Sequence, residues 1–227
     1  MAKTFTKIGK EIAIAVKAGG SDPDTNARLR LAMQNAKTAN MPKDRVEAAI
    51  KRVVSKEEKD YEEIVYEGYG PHGIAIVIDC ATDNPTRTVA NVRMHFNRSG
   101  GSLGKTGSLD FLFDKKGVFK ISAANLDIEE LELELIDFGA EELFEEDGEI
   151  YIYTAFSDFG TMQKALEERK LEVLSAQSER IPNNTNKLTP EQAAEVQKLI
   201  EKFEDDEDVQ SVSHNMDESS LGDEDVE

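Results

Sequence analysis

Across residues 1–56, apolar positions recur at helical spacing. Phe5, Ile8, Ile12 and Val16 share one face and predict an amphipathic helix that stops at Gly19-Gly20. Asp22-Pro23 predicts a restart by the cap-then-proline rule, with Leu29, Ala32, Met33 and Ala36 inward and Arg30, Gln34 and Lys37 on a separate stripe. Pro42 predicts the opening of a third helix whose Val46, Ala49, Ile50 and Val53 face inward. Helices this short need one another's apolar faces. The polar run Ser55–Asp60 then predicts a linker.

From Gly68 the pattern changes. Gly68, Gly70, Pro71 and Gly73 predict a tight turn, followed by a strand with Ile74, Ile76, Ile78 and Cys80 on one face. Asn84-Pro85 predicts the cap of a helix with Val89, Val92 and Phe96 buried and Arg87, Asn91 and Arg98 opposite. Ser108–Asp114 and Gly117–Ser122 read as two further strands turning at Lys115-Lys116-Gly117. A helix from Thr189-Pro190 and a strand over Val209–Met216 complete a ferredoxin-like βαββαβ domain.

Between them lies an insertion patterned α-β-β-α-β. Asp127 starts a helix, Asp147-Gly148 joins a hairpin, Ser157 caps a second helix, and Leu171–Ile181 closes as a strand. The expected class is α+β. Its expected domains are a basic helical domain at 1–58, a discontinuous α+β domain at 59–122 plus 189–216, an inserted α+β domain at 123–188, and an acidic mobile tail at 217–227.

Charge changes the picture. The net charge is −19, yet residues 1–56 hold twelve Lys/Arg against five Asp/Glu, +7, which leaves −26 on the remainder. This asymmetry suggests a module facing a polyanion, attached to acidic domains. Lys and Arg neutralise phosphates without a sequence code. The candidate contacts are Lys3, Lys7, Lys10, Arg28, Arg30, Lys37, Lys43, Arg45, Lys51 and Arg52, with Arg87 and Arg98 as additions. A solvated surface charge is the plain alternative for each one. No aromatic-interleaved ribonucleoprotein motif indicates base stacking.

Other chemistry finds little support. Gly100–Ser108 (GGSLGKTGS) tempts toward a phosphate loop, but the spacing requires glycine at Ser99, and the loop leaves a helix for a strand. His72, His95 and His214 are scattered, and the Glu204–Asp208 run lacks the ordered spacing of a calcium loop. Catalytic residues, metals, cofactors and a small-molecule substrate are therefore not expected. Cys80, the lone cysteine, shares a face with isoleucines and fits a reducing cytoplasm. No apolar run approaches membrane-spanning length.

Tyr66-Glu67-Gly68-Tyr69-Gly70-Pro71, Thr82-Asp83-Asn84, Arg87-Thr88-Val89 and Gly100-Gly101-Ser102-Leu103-Gly104, with Asn40-Met41-Pro42-Lys43-Asp44 upstream, resemble the signature of the YebC/PmpR family. That family includes the mitochondrial translational activator of cytochrome c oxidase subunit I. The resemblance spans nearly the whole chain and implies three domains, the third inserted in the second. It implies a non-enzymatic, DNA-binding transcriptional regulator. The alternative it offers is a ribosome-associated translation factor that binds ribosomal RNA and relieves stalling, notably at proline-rich stretches. It also implies a very basic arm ahead of the position where Met1 stands, and without that arm nucleic-acid affinity should be lower.

Overall fold

The structure, a computed structural model, describes residues 2–221. The α+β class holds. The chain divides into two compact units, Lys3–Glu58 with Lys115–Arg180, and Lys59–Asp114 with the chain from Ile181.

The first unit opens with three helices, α1 (Ala2–Gly19), α2 (Ala27–Thr38) and α3 (Lys43–Val54). Their buried stripes are Ile12, Ala13, Ala15 and Val16, then Leu29, Ala32 and Ala36, then Val46, Ala49 and Val53. The second helix starts later than Asp22-Pro23 suggests. Asp22 accepts the Asp24 amide at 2.9 Å and so closes a turn, and Asn26 is the cap, accepting from Leu29 N–H at 3.0 Å. A side chain that bonds its neighbouring backbone in a turn competes with helix initiation.

The same unit holds β4 (Phe113–Ser122), α5 (Ile128–Ile136), β5 (Ala140–Glu146), β6 (Glu149–Ala155), α6 (Phe159–Glu168) and β7 (Val173–Pro182), in the sheet order β5-β6-β4-β7. This is a βαββαβ plait, formed by the expected insertion together with β4, which precedes it and which the sequence pattern assigns to the discontinuous domain. Phe119 and Ile121 of β4 sit opposite Ile152 and Ile150 of β6, under Leu131, Leu135, Met162 and Leu166.

The expected turn at Lys115-Lys116-Gly117 is therefore strand interior. Gly117 serves packing there, because a Cβ would stand 2.7 Å from Thr154 Oγ1 and from the Phe159 ring. The hairpin at Asp147-Gly148 forms as expected, with φ of 52° and 79° at its two residues, as a type I′ turn requires. Asp127 caps α5 through Glu130 N–H at 3.1 Å. Ser157 caps nothing; α6 begins one residue after Asp158, which makes no side-chain cap bond.

In the second unit, β1 (Glu62–Tyr69), β2 (Ala75–Thr82), β3 (Ser102–Leu103) and β8 (Val209–His214) form an antiparallel sheet in the order β3-β1-β2-β8. Helices α4 (Pro85–Arg98) and α7 (Pro190–Glu204) cover the face bearing Ile74, Ile76, Ile78 and Cys80. Phe96 and Phe203 meet there at 4.8 Å between ring centres. Ala75 and Val77 pack beneath with Leu109 and Phe113, so β2 is buried on both faces.

The expected turn forms at Gly70-Pro71-His72-Gly73, where Gly70 N–H donates to the Ile74 carbonyl at 2.8 Å, and it joins β2 to β1, a strand that the sequence pattern did not predict. Ser108–Leu112, expected as a strand, is loop and a 3₁₀ turn, because the Glu67 carboxylate draws in the Gly107 and Leu109 amides at 2.7 Å each. The helix expected from Thr189-Pro190 forms, and Thr189 and Gln192 close a capping box at its start. At the acidic end, Glu218–Ser220 is a 3₁₀ turn with Ser220 buried, and residues 222–227 of the expected tail lie outside the described residues.

Candidate nucleic-acid interface

Lys3, Lys7 and Lys10 recur at i, i+4 and i+7 on α1, turned away from Ile12 and Val16. The stripe is not uniformly exposed: Lys3 is exposed, Lys7 half-buried and Lys10 buried. Arg28 pairs with Glu11 at 3.3 Å between exposed side chains, a contact worth little in water. The junction between α1 and α2 is held by buried Asn26, whose amide donates to Ala15 and Gly20 carbonyls at 2.7 and 2.8 Å.

Arg30 is engaged structurally. Its guanidinium donates to Glu167 on α6 at 3.1 Å and to the Pro23 and Asp24 carbonyls at 2.7 and 3.2 Å. Gln34 and Thr38 donate to the Val173 and Leu174 carbonyls of β7, and Asn35 exchanges bonds with Ala176 N–H and C=O at 3.4 and 3.1 Å. The polar face of α2 thus caps the backbone of an edge strand, which would otherwise present unpaired amides. Of the stripe Arg30, Gln34 and Lys37, only Lys37 is exposed.

The third helix carries the more available cations. Lys43 and Lys51 line up through Glu47 at i, i+4 and i+8; the Lys43 side chain is 90% exposed and lies 3.7 Å from Glu47. Lys37 and Lys51 are exposed and make no ion pair among the described residues. Arg45 lies over the Phe5 ring at 5.5 Å, joining α3 to α1 while remaining exposed. Arg52 pairs with Glu58 at 3.3 Å.

In the second unit, Arg87 is committed. It donates to Asp208 at 2.6 Å and to Asp83 at 3.0 Å, and these bonds, Asp208's first, raise its pKa above the ordinary arginine value. Asn91 donates to Asp206 at 3.0 Å. The face of α4 that resembled a phosphate surface is spent on the acidic turn before β8. Arg98 stays exposed, as does Arg93, which the stripe of Arg87, Asn91 and Arg98 leaves out. Its exposure could be inferred from its place off the Val89–Val92–Phe96 stripe.

The glycine loop offers no phosphate cradle. Glu67 is buried and already fills the amides of Gly107 and Leu109 with a carboxylate. Gly101 and Gly68 allow a close chain crossing, since Cβ atoms there would stand 2.3 Å from the Tyr69 oxygen and 2.5 Å from the Ser102 oxygen. Among the described residues, no three His, Cys, Asp or Glu side chains are grouped to hold a metal, and no helix is long and apolar enough to cross a membrane.

Fold and site together define a class: a cationic three-helix segment joined to a ferredoxin-like plait and a second antiparallel α+β layer. The chain belongs to the TACO1/YebC family. Residues 1–56 match the TACO1/YebC protein N-terminal domain, and residues 61–216 match the TACO1/YebC second and third domain. It is 65% identical over 216 residues to a probable transcriptional regulatory protein of Cytophaga hutchinsonii, covering 95% of this chain and 91% of that one. It is 58% identical to another of that name from Parabacteroides distasonis, covering 95% and 89%. The crystal structure of a conserved hypothetical protein from Aquifex aeolicus resembles it with a TM-score of 0.82 at 36% identity, over 95% of this chain and 90% of that one.

Proposed function

We propose that this protein is a non-enzymatic, nucleic-acid-binding regulator of gene expression, a cytoplasmic DNA-binding transcriptional regulator that holds phosphates on α2 and α3. One observation carries this reading: Lys37, Lys43, Arg45 and Lys51 are exposed on an otherwise acidic chain. The names of its relatives support the same class. These side chains act as point charges, so the expected binding is salt-dependent and weakly sequence-selective.

A second reading has its own support. The polar face of α2 is consumed by β7, so it cannot serve as a major-groove recognition helix. That favours recognition of structured ribosomal RNA by shape, as a ribosome-associated translation factor would use it. Titrating the full chain with promoter duplexes and with ribosomal RNA fragments, alongside ribosome co-sedimentation with and without RNase, separates the two. Duplex binding with migration at the top of the gradient supports transcriptional regulation. RNase-sensitive co-sedimentation supports the translation role. Binding to neither nucleic acid overturns both.

A further inference from the structure

We propose that the open face of the β5-β6-β4-β7 sheet docks an arginine-rich segment of a partner protein. Helices α5 and α6 cover the face bearing Phe119, Ile121, Ile150 and Ile152. The strand period of two therefore turns Tyr151 and Tyr153 of β6, and Lys120 of β4, to the other side. Phe144 of β5 joins them: its ring stacks on Tyr151 at 5.1 Å with 4° between planes, and lies 5.9 Å from Tyr153. Phe144 remains 36% exposed, a large aromatic at the surface.

Carboxylates frame this ladder. Glu142 sits opposite Tyr153 and Glu146 opposite Glu149, with Glu142, Phe144 and Glu146 alternating along one face of β5. Like charges directly opposite on a sheet repel, and a cation between them relieves that. Glu179 of β7 lies near Tyr153, whose pKa is raised by burial and then by Glu179 and Glu142.

The chain already displays the binding mode once. Lys120 Nζ lies 4.8 Å from the Tyr151 ring centre and 3.0 Å from Glu149, a cation held between an aromatic face and a carboxylate. A guanidinium stacks on such rings while pairing with carboxylates, which makes arginine the better fit. The same carboxylates repel phosphate, so a nucleic-acid strand is disfavoured despite the plait's aromatic sheet face.

The test is fluorescence anisotropy of a short labelled peptide of alternating arginine and glycine against the full-length chain, at moderate salt. The expected result is saturable binding, tighter than for the lysine counterpart. Phe144→Ala, which leaves net charge unchanged, should weaken it about three- to tenfold. The Glu142→Gln/Glu146→Gln variant removes no hydrophobic packing and should weaken it comparably, which keeps the test valid if Phe144→Ala unfolds. Equal binding by wild type and either folded variant, or by the lysine peptide, would reduce the effect to bulk charge and overturn the proposal. So would a labelled oligouridylate bound in a Phe144-dependent way.

Discussion

The Asp208 carboxylate is 3% exposed, and its Oδ2 lies 3.1 Å from the Thr82 hydroxyl, 2.9 Å from that of Thr88, and 2.6 and 3.3 Å from two Arg87 nitrogens. Removing it takes the shared acceptor from Thr82, Thr88 and Arg87, leaving the hydroxyls their bond to each other and Arg87 its bond to Asp83. Asp208→Ala should cost about 1–3 kcal/mol in urea unfolding, discounted because Arg87 is partly solvated; a loss within the error of the wild type would contradict a stabilising role for these bonds. His214 argues a pH effect. Its Nδ1 is buried with no hydrogen-bond partner, and desolvation lowers its pKa below 6.5 against a weaker opposing pull from Glu218. His95 is lowered as well, chiefly by burial. The unfolded chain takes up protons near pH 6.5 that the folded chain refuses, so stability should fall as pH drops from about 7 to 5. His95→Gln/His214→Gln should flatten that slope; an unchanged slope would place its origin elsewhere. At this scale the sequence shows which residues are polar but not which are spent. Arg87 reads as outward-facing, and nothing local distinguishes Asp208 within a run of acids. Their meeting spans 121 residues.

Among elements, α2 and β4 decide the architecture. The apolar stripe of α2 was legible because helical period alone sets it. Its polar face was not, because docking on a strand edge uses backbone carbonyls that carry no sequence signal. Arg30 and Lys37 look alike in the chain and should behave oppositely. Arg30→Glu sets a carboxylate against Glu167 and two carbonyls and should destabilise by about 2 kcal/mol, whereas Lys37→Glu should change stability by less than about 0.5 kcal/mol. Thermal unfolding of both variants checks this, and equal effects would contradict the docking of α2 on the plait. For β4, the hydrophobic alternation Phe119–Ile121 predicted a strand but could not say which sheet would take it. Lys115-Lys116-Gly117 read as a turn because glycine there answers a contact with Thr154 and Phe159, distant in sequence. Hairpins closed by local chemistry, such as Asp147-Gly148, were readable outright.

At the scale of the whole molecule, charge separation along the chain is the feature that composition alone revealed. The first 56 residues carry +7 and the rest −26. The structure then narrows twelve candidate cations, since Arg30 and Arg87 bind acidic partners and Lys10 is buried. The remaining exposed lysines of α2 and α3 support the phosphate-binding reading most directly. The decisive measurement is the salt dependence of nucleic-acid affinity for the full chain and for Lys37→Glu/Lys43→Glu/Lys51→Glu. Stability should be nearly unchanged, affinity should fall, and the slope of log affinity against log salt on duplex DNA should decrease in magnitude by about 2–3. A variant that folds normally and keeps the wild-type affinity and slope would contradict the assignment of α2 and α3 as the nucleic-acid interface.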